Sequence, residues 1–404
     1  MNNDPDDQTP FLSIGFRPFF LAAGVYAVLA MLAWIAWLAL HSVNALVLSP
    51  TISVPAHLWH GHEIMFGYAV AVISGFMLTA VPGWTGARRV AGLALVVLLT
   101  VWFAGRIGVW FSAFLPAAVV AVLDMAFLPL LAGTVALALI KRPAPQNVIF
   151  LALLTVLIVA NGAVHLEWLG LSENTASWGL AVAVIDTTLM IVILGGRIIP
   201  SFTRNALLRR DSWQPLPQTF SLLDKASIAS AAAVLLCYLV SAPGLVTGIV
   251  AAAAAVANLA RLSFWCWRST LGQPILWSLH LAYLWIPAGY AALAAAFLGD
   301  WLPHSAALHF LAVGAIGGMT LAMMTRAPLG HTGRPLVVVL PIAVSYLFIA
   351  LAALLRGLVL DTFPASYFSI VFIAGGLWIA GFAIYVFVYA PILTGPSVKD
   401  APAG

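Results

Sequence analysis

Long apolar runs separated by short polar turns set the pattern of this chain. About twelve runs can be drawn, at residues 18–40, 62–82, 90–111, 117–140, 147–169, 176–200, 225–242, 244–267, 275–298, 305–325, 335–356 and 366–391. Each is near the ~20 residues an α-helix needs to cross the hydrocarbon layer of a bilayer. The pattern predicts an all-α integral membrane protein of about twelve transmembrane helices.

The basic residues check that count. Arg88, Arg89, Lys141, Arg142, Arg204, Arg209, Arg210, Lys225, Arg268, Arg326 and Arg334 all fall in even-numbered loops. The odd-numbered loops hold almost none, and Arg106 and Arg356 sit at the ends of helices 3 and 11. Positive charge stays on the cytoplasmic side, so the even loops and both termini are expected there. A missed or invented helix would scramble this alternation. The expected organisation is a short cytoplasmic segment at 1–17, one twelve-helix domain at 18–391 and a tail at 392–404. Within the domain, halves 18–200 and 225–391 are joined by a polar cytoplasmic linker at 201–224.

Composition agrees. The 404 residues are 63% hydrophobic and 7% charged, where soluble domains carry roughly 25% charged residues. Seventeen basic and thirteen acidic side chains could not cover a water-facing surface of this size. The net charge of +4 is scattered through loops, so nucleic acid is not an expected partner. Cys237 and Cys266 lie in apolar segments, which argues against a disulfide framework. The acidic start from Met1 to Thr9 does not resemble a cleavable signal peptide.

Candidate chemistry concentrates in His57-Leu58-Trp59-His60-Gly61-His62-Glu63. Imidazole suits copper, zinc and iron, and a haem iron takes one or two axial imidazoles. His60 and His62 cannot share a helix face, so one is expected on the first helical turn and the other in the loop before it. His41, His57, His60, His62, His165, His304 and His309 all fall toward the predicted periplasmic side, while His280 and His331 fall toward the cytoplasmic side. His309 is the natural partner of His62, because each opens a helix descending from the periplasmic face. Gly67, Ala71 and Gly75 follow one, and Gly314 and Gly318 the other. Small residues at this spacing allow close helix packing, or room for a flat macrocycle. Arg106 and Arg356 could hold haem propionates, or snorkel to the headgroups. Glu63, Asp124 and Asp186 are candidates for proton transfer, with Glu63 alternatively a helix cap.

A second polar group gathers toward the cytoplasmic side: Arg17, Arg197, and Arg326 to Arg334. Topological anchoring and an anion or proton-uptake role both remain open. A four-helix repeat is also faintly visible. His62 is followed by Gly67 and by Thr85-Gly86, and His309 at the same offsets by Gly314 and by Thr332-Gly333.

Several segments together carry a family resemblance. They are Gly15-Phe-Arg-Pro-Phe-Phe20, Trp59-His-Gly-His-Glu63 with Phe66-Gly-Tyr68, Gly75-Phe-Met-Leu-Thr-Ala-Val-Pro82 and Gly196-Arg-Ile-Ile-Pro-Ser-Phe-Thr203. Leu279-His-Leu-Ala-Tyr-Leu-Trp285 and Met324-Thr-Arg-Ala-Pro-Leu-Gly-His-Thr-Gly-Arg334 complete the set. Over nearly its whole length the chain resembles the NnrS family of haem- and copper-containing bacterial membrane proteins. The resemblance implies a role in nitric oxide metabolism and relief of nitrosative stress, as in denitrifying bacteria, at the cytoplasmic (inner) membrane. His60, His62, His280, His309 and His331 fall in family motifs. A looser analogy links the chain to haem–copper oxidases, which carry haem-ligating histidines on helices 2 and 10. This chain lacks histidines on helices 6 and 7, where those enzymes hold their second metal.

The leading expectation is therefore a haem between helices 2 and 10 with His62 and His309 as axial ligands. Arg106, Arg356 and His280 are further cofactor candidates, and His57, His60, His165 and His331 further metal candidates. Glu63 and Asp186 are the catalytic candidates. Nitric oxide or its adducts, the lipid bilayer and an unspecified electron donor are the expected partners. Two other readings stay open. One is a secondary transporter of a small solute or metal, dependent on Asp186 or His280. The other is a nitric oxide sensor or scavenger without turnover, which consumption of nitric oxide by the reduced protein would separate from an oxidoreductase.

Overall fold

The computed structural model describes residues 10–43, 51–209 and 215–398. It holds twelve helices long and apolar enough to cross a membrane. In chain order they are α1 Phe16–Ser42, α2 Ala56–Thr85, α3 Leu93–Trp110, α4 Ala117–Leu139, α5 Pro145–Trp168 and α6 Thr175–Leu208. The remainder are α7 Ser221–Leu239, α8 Gly244–Ser263, α9 Pro274–Gly299, α10 His304–His331, α11 Leu340–Val359 and α12 Tyr367–Thr394. No strand occurs among the described residues. Val122, Leu137 and Phe387 are 70%, 70% and 85% exposed, as lipid-facing apolar side chains should be.

Proline places many of the helix starts. Pro55, Pro116, Pro243 and Pro303 each precede a first turn, and Pro145 and Pro274 open one. A first-turn residue has no intrahelical use for its N–H, so proline is tolerated there. This corrects two expectations. α2 begins after Pro55, so His57, His60 and His62 all lie on helix and none in a preceding loop. α6 runs through Pro200 to Leu208, so the first residues assigned to a linker are helical. Arg210 of the sequence argument lies outside the described residues.

Three helices depart from α geometry. π-helical turns span Glu63–Ala69 in α2, Phe310–Gly317 in α10 and Leu355–Val359 in α11. Such wide turns are rare and occur often at functional sites.

The chain divides into two compact units. The first comprises Met1–Ala183, Ala327–Pro335 and Phe382–Gly404. Its core includes buried Trp59, Val109 and Val120, with Trp34, Trp110 and Trp168 packed against them. Arg17 is fully buried in this unit. It donates to the carbonyls of Leu393 and Gly395 at 3.0 and 2.7 Å and to Ser397 Oγ at 3.0 Å. The last carbonyls of a helix lack intrahelical partners and carry partial negative charge. Arg17 thus caps α12 and ties down the beginning of the expected tail. The second unit comprises Val184–Arg326 and Leu336–Gly381. There Arg261 links Asp224 at 2.7 Å to the Val192 carbonyl at 3.0 Å. The Tyr283 hydroxyl donates to Asn258 Oδ1 at 2.7 Å.

Candidate functional site

Three helices of the first unit converge on His62. α2 supplies His62 and Glu63, both fully buried at the mouth of the π-helical turn. α4 supplies Asp124, and α5 supplies Asn161 and His165. Asn161 and His165 are four residues apart and so share one helix face. Gly105 of α3 allows the close approach. A Cβ there would lie 3.0 Å from Asp124 Cα, so glycine lets α3 and α4 pack closely where the neighbouring Arg106 reaches the same carboxylate.

The polar contacts are dense. His62 Nδ1 lies 2.8 Å from Glu63 Oε1. His62 Nε2 lies 3.2 Å from Asp124 Oδ2 and 3.0 Å from Asn161 Oδ1. His165 Nε2 lies 2.8 Å from the same Asp124 oxygen, to which Asn161 Nδ2 also donates at 2.8 Å. Arg106 bridges the carboxylates, donating to Glu63 Oε1 at 2.6 Å and to Asp124 Oδ1. Trp168 packs against both imidazoles, its ring 4.8 Å from that of His62 and 5.1 Å from that of His165.

Two counts follow from this geometry. Two carboxylates face one guanidinium, so with both carboxylates ionised the cluster has one negative charge more than its arginine balances. His62 Nε2 also faces two acceptors, Asp124 Oδ2 and Asn161 Oδ1, while its Nδ1 already addresses Glu63. Buried charge and buried lone pairs are costly when uncompensated. A proton on His62, or a metal cation between His62, Asp124 and His165, answers both. These three residues place one nitrogen or oxygen each within 4.8 Å of one another. Metal–ligand bonds of ~2.0 Å in a tetrahedral site imply ligand separations of ~3.3 Å, close to the distances seen. The Glu63 contact at Nδ1 is the usual outer support of a metal-bound imidazole, fixing tautomer and ring orientation.

The other sequence candidates sit elsewhere. His57 is exposed, and His60 stacks on Trp34 with centroids 4.6 Å apart. His331 is exposed and stacks on Phe16 at 5.7 Å. His280 is buried in the second unit, its Nε2 2.9 Å from Thr203 Oγ1. His309 is half-buried in the second unit, its Nδ1 2.6 Å from the Ser305 carbonyl and its Nε2 2.9 Å from Arg356 Nη2. A guanidinium only donates, so Nε2 accepts and Nδ1 carries the hydrogen. Asp186 is fully buried, and neither of its carboxylate oxygens has a partner. Asp124 was legible only as a proton carrier, and Asn161 was not singled out. The Asn161–His165 spacing on α5 is the signal that could have found it.

The glycine stripes serve close packing against aromatic side chains. A Cβ at Gly67 would meet Tyr26 and Arg106, and one at Gly314 would meet Trp285. A small cleft runs along Gly314 and Gly318, lined also by Ser278, Trp285 and Tyr346. Around His62 the residues fit a metal ion, and Arg106 is engaged by the Glu63 and Asp124 carboxylates.

Twelve apolar helices, with a buried imidazole–carboxylate cluster in the first unit, define a multi-pass membrane protein with a candidate metal centre. The model of the NnrS protein family matches residues 10–397, nearly the entire chain. The chain belongs to the NnrS family, and that membership fits a role related to nitric oxide. A comparison with curated proteins gives no match.

Proposed function

We propose that the chain is a copper-binding protein of the bacterial inner membrane, acting in nitric oxide metabolism and protection against nitrosative stress. His62, Asp124 and His165 hold the ion near the periplasmic side, with the Asn161 amide oxygen close by. The observation that carries this reading is the convergence of two buried imidazoles and a buried carboxylate whose nearest nitrogen and oxygen atoms lie within 4.8 Å of one another. Two imidazoles and a carboxylate suit copper or zinc, and of the two only copper cycles between oxidation states. Bound copper would supply one-electron chemistry and a coordination position open to nitric oxide.

The protein's own groups set the conditions. Glu63 holds the His62 ring through Nδ1, so Nε2 keeps its aim. Arg106 fixes both carboxylates, which keeps Asp124 from swinging away. Trp168 and Phe66 pack on the His62 ring and exclude water. Nitric oxide is small and apolar, so it can arrive from the lipid. Its electrons would come from an external one-electron donor.

The test is nitric oxide consumption by the purified, reduced protein loaded with copper. We expect consumption, or a spectral change on binding, that His165→Ala abolishes and His309→Ala preserves. A response that survives His62→Ala and His165→Ala together would overturn this site. A spectral change without consumption would place the protein among sensors or scavengers, and solute uptake without either would favour a transporter.

A further inference from the structure

The acidic groups buried in the spans differ sharply in how they are answered. Glu63 and Asp124 meet Arg106 and imidazoles. Asp186, well inside α6, meets no polar partner. It is 0% exposed, and neither Oδ1 nor Oδ2 has a hydrogen-bond partner. Beside it Thr187, 2% exposed, also leaves its hydroxyl unpartnered. One residue further the pattern reverts to the ordinary one, with the Thr188 hydroxyl donating to the Val184 carbonyl at 2.8 Å. Two successive buried polar side chains without partners are unusual, and a lone ionised carboxylate buried within a membrane span is strongly disfavoured.

We propose that Asp186 is a proton-binding site inside the membrane span, carrying an exchangeable proton on its carboxyl group. The donor count separates a proton from a metal cation. Hard cations ask for about six or more oxygen ligands, and the only other unclaimed side-chain oxygen in this turn is that of Thr187. A proton asks for one oxygen. The neutral acid removes the charge but still leaves a polar group unpaired, so Asp186 weakens the fold it sits in. A buried group that costs stability and has no hydrogen-bond partner is placed for chemistry rather than packing. The site does not depend on the copper reading, and metal-free protein serves to test it.

The experiment is infrared spectroscopy of the full chain in lipid, comparing the native protein with Asp186→Asn. We expect a carbonyl band of a protonated carboxyl group in the native protein. It should be lost in Asp186→Asn and shift when water is replaced by heavy water. Asp186→Leu should fold with a Tm equal to or above the native value, because it removes an unpaired polar group. The proposal is overturned if no band depends on Asp186, if the band ignores heavy water, if sodium ions abolish it, or if Asp186→Leu lowers the Tm.

Discussion

The first turns of α2 and α10 share a backbone and differ in chemistry. In each, a histidine ends a short α-helical stretch and a π-helical turn follows at once. In each, a glycine stands five residues on, against an aromatic side chain that leaves no room for a Cβ. Both helices close into a left-handed glycine, Gly86 at φ +69° and Gly333 at φ +70°. In each unit an arginine from the next helix reaches the histidine's turn, Arg106 to Glu63 and Arg356 to His309. There the likeness ends. Next to His62 stands Glu63, with Asp124, Asn161 and His165 arriving from two more helices. Next to His309 stands Phe310, and the His309 ring meets the Ser305 carbonyl and Arg356. The backbone device is reusable, and the carboxylates decide which copy can hold a metal ion.

Breaking each copy should show the difference in size. Arg106→Leu strands two buried carboxylates and should cost about 3–5 kcal/mol, whereas Arg356→Leu loses a half-buried hydrogen bond to a neutral ring, about 1 kcal/mol. Unfolding of the two variants in detergent by denaturant measures both. Equal losses would mean that charge compensation is not what distinguishes the turns.

The shared parts should respond alike. Gly67→Ala and Gly314→Ala each drive a methyl group into a packed ring, Tyr26 or Trp285, and should cost about 1–3 kcal/mol by overpacking. Gly67→Ala alone should also lower metal affinity, because the same methyl would press on Arg106 Nη1 at 3.2 Å. Thermal unfolding paired with metal titration separates these effects. Smallest is the change at the helix ends. Gly86→Ala and Gly333→Ala place a Cβ on a left-handed residue, costing about 1 kcal/mol each, with metal content unchanged.

Much of this comparison was legible in the sequence, and its limits are physical. Hydropathy gave twelve spans because lipid imposes length and composition on each one locally. The matched offsets after His62 and His309 were readable for the same reason. His62 and Glu63 stood out because they are adjacent. Asp124 and His165 come from α4 and α5, and no local pattern states that two helices will meet at one carboxylate oxygen. The π-helical turns left no trace in residue spacing. Arg17 read as an anchor or anion site, but its role as a cap depends on carbonyls more than 370 positions away along the chain. Glycine stripes announced close packing, and only coordinates could say that tyrosine and tryptophan are what they pack against.

The most direct measurement is metal content with the copper spectrum recorded by electron paramagnetic resonance, on native protein, His165→Ala and His309→Ala. The central claim predicts copper with nitrogen coupling in the native protein and in His309→Ala, and its loss in His165→Ala. Copper retained in His165→Ala with an unaltered spectrum, or lost in His309→Ala, would contradict it.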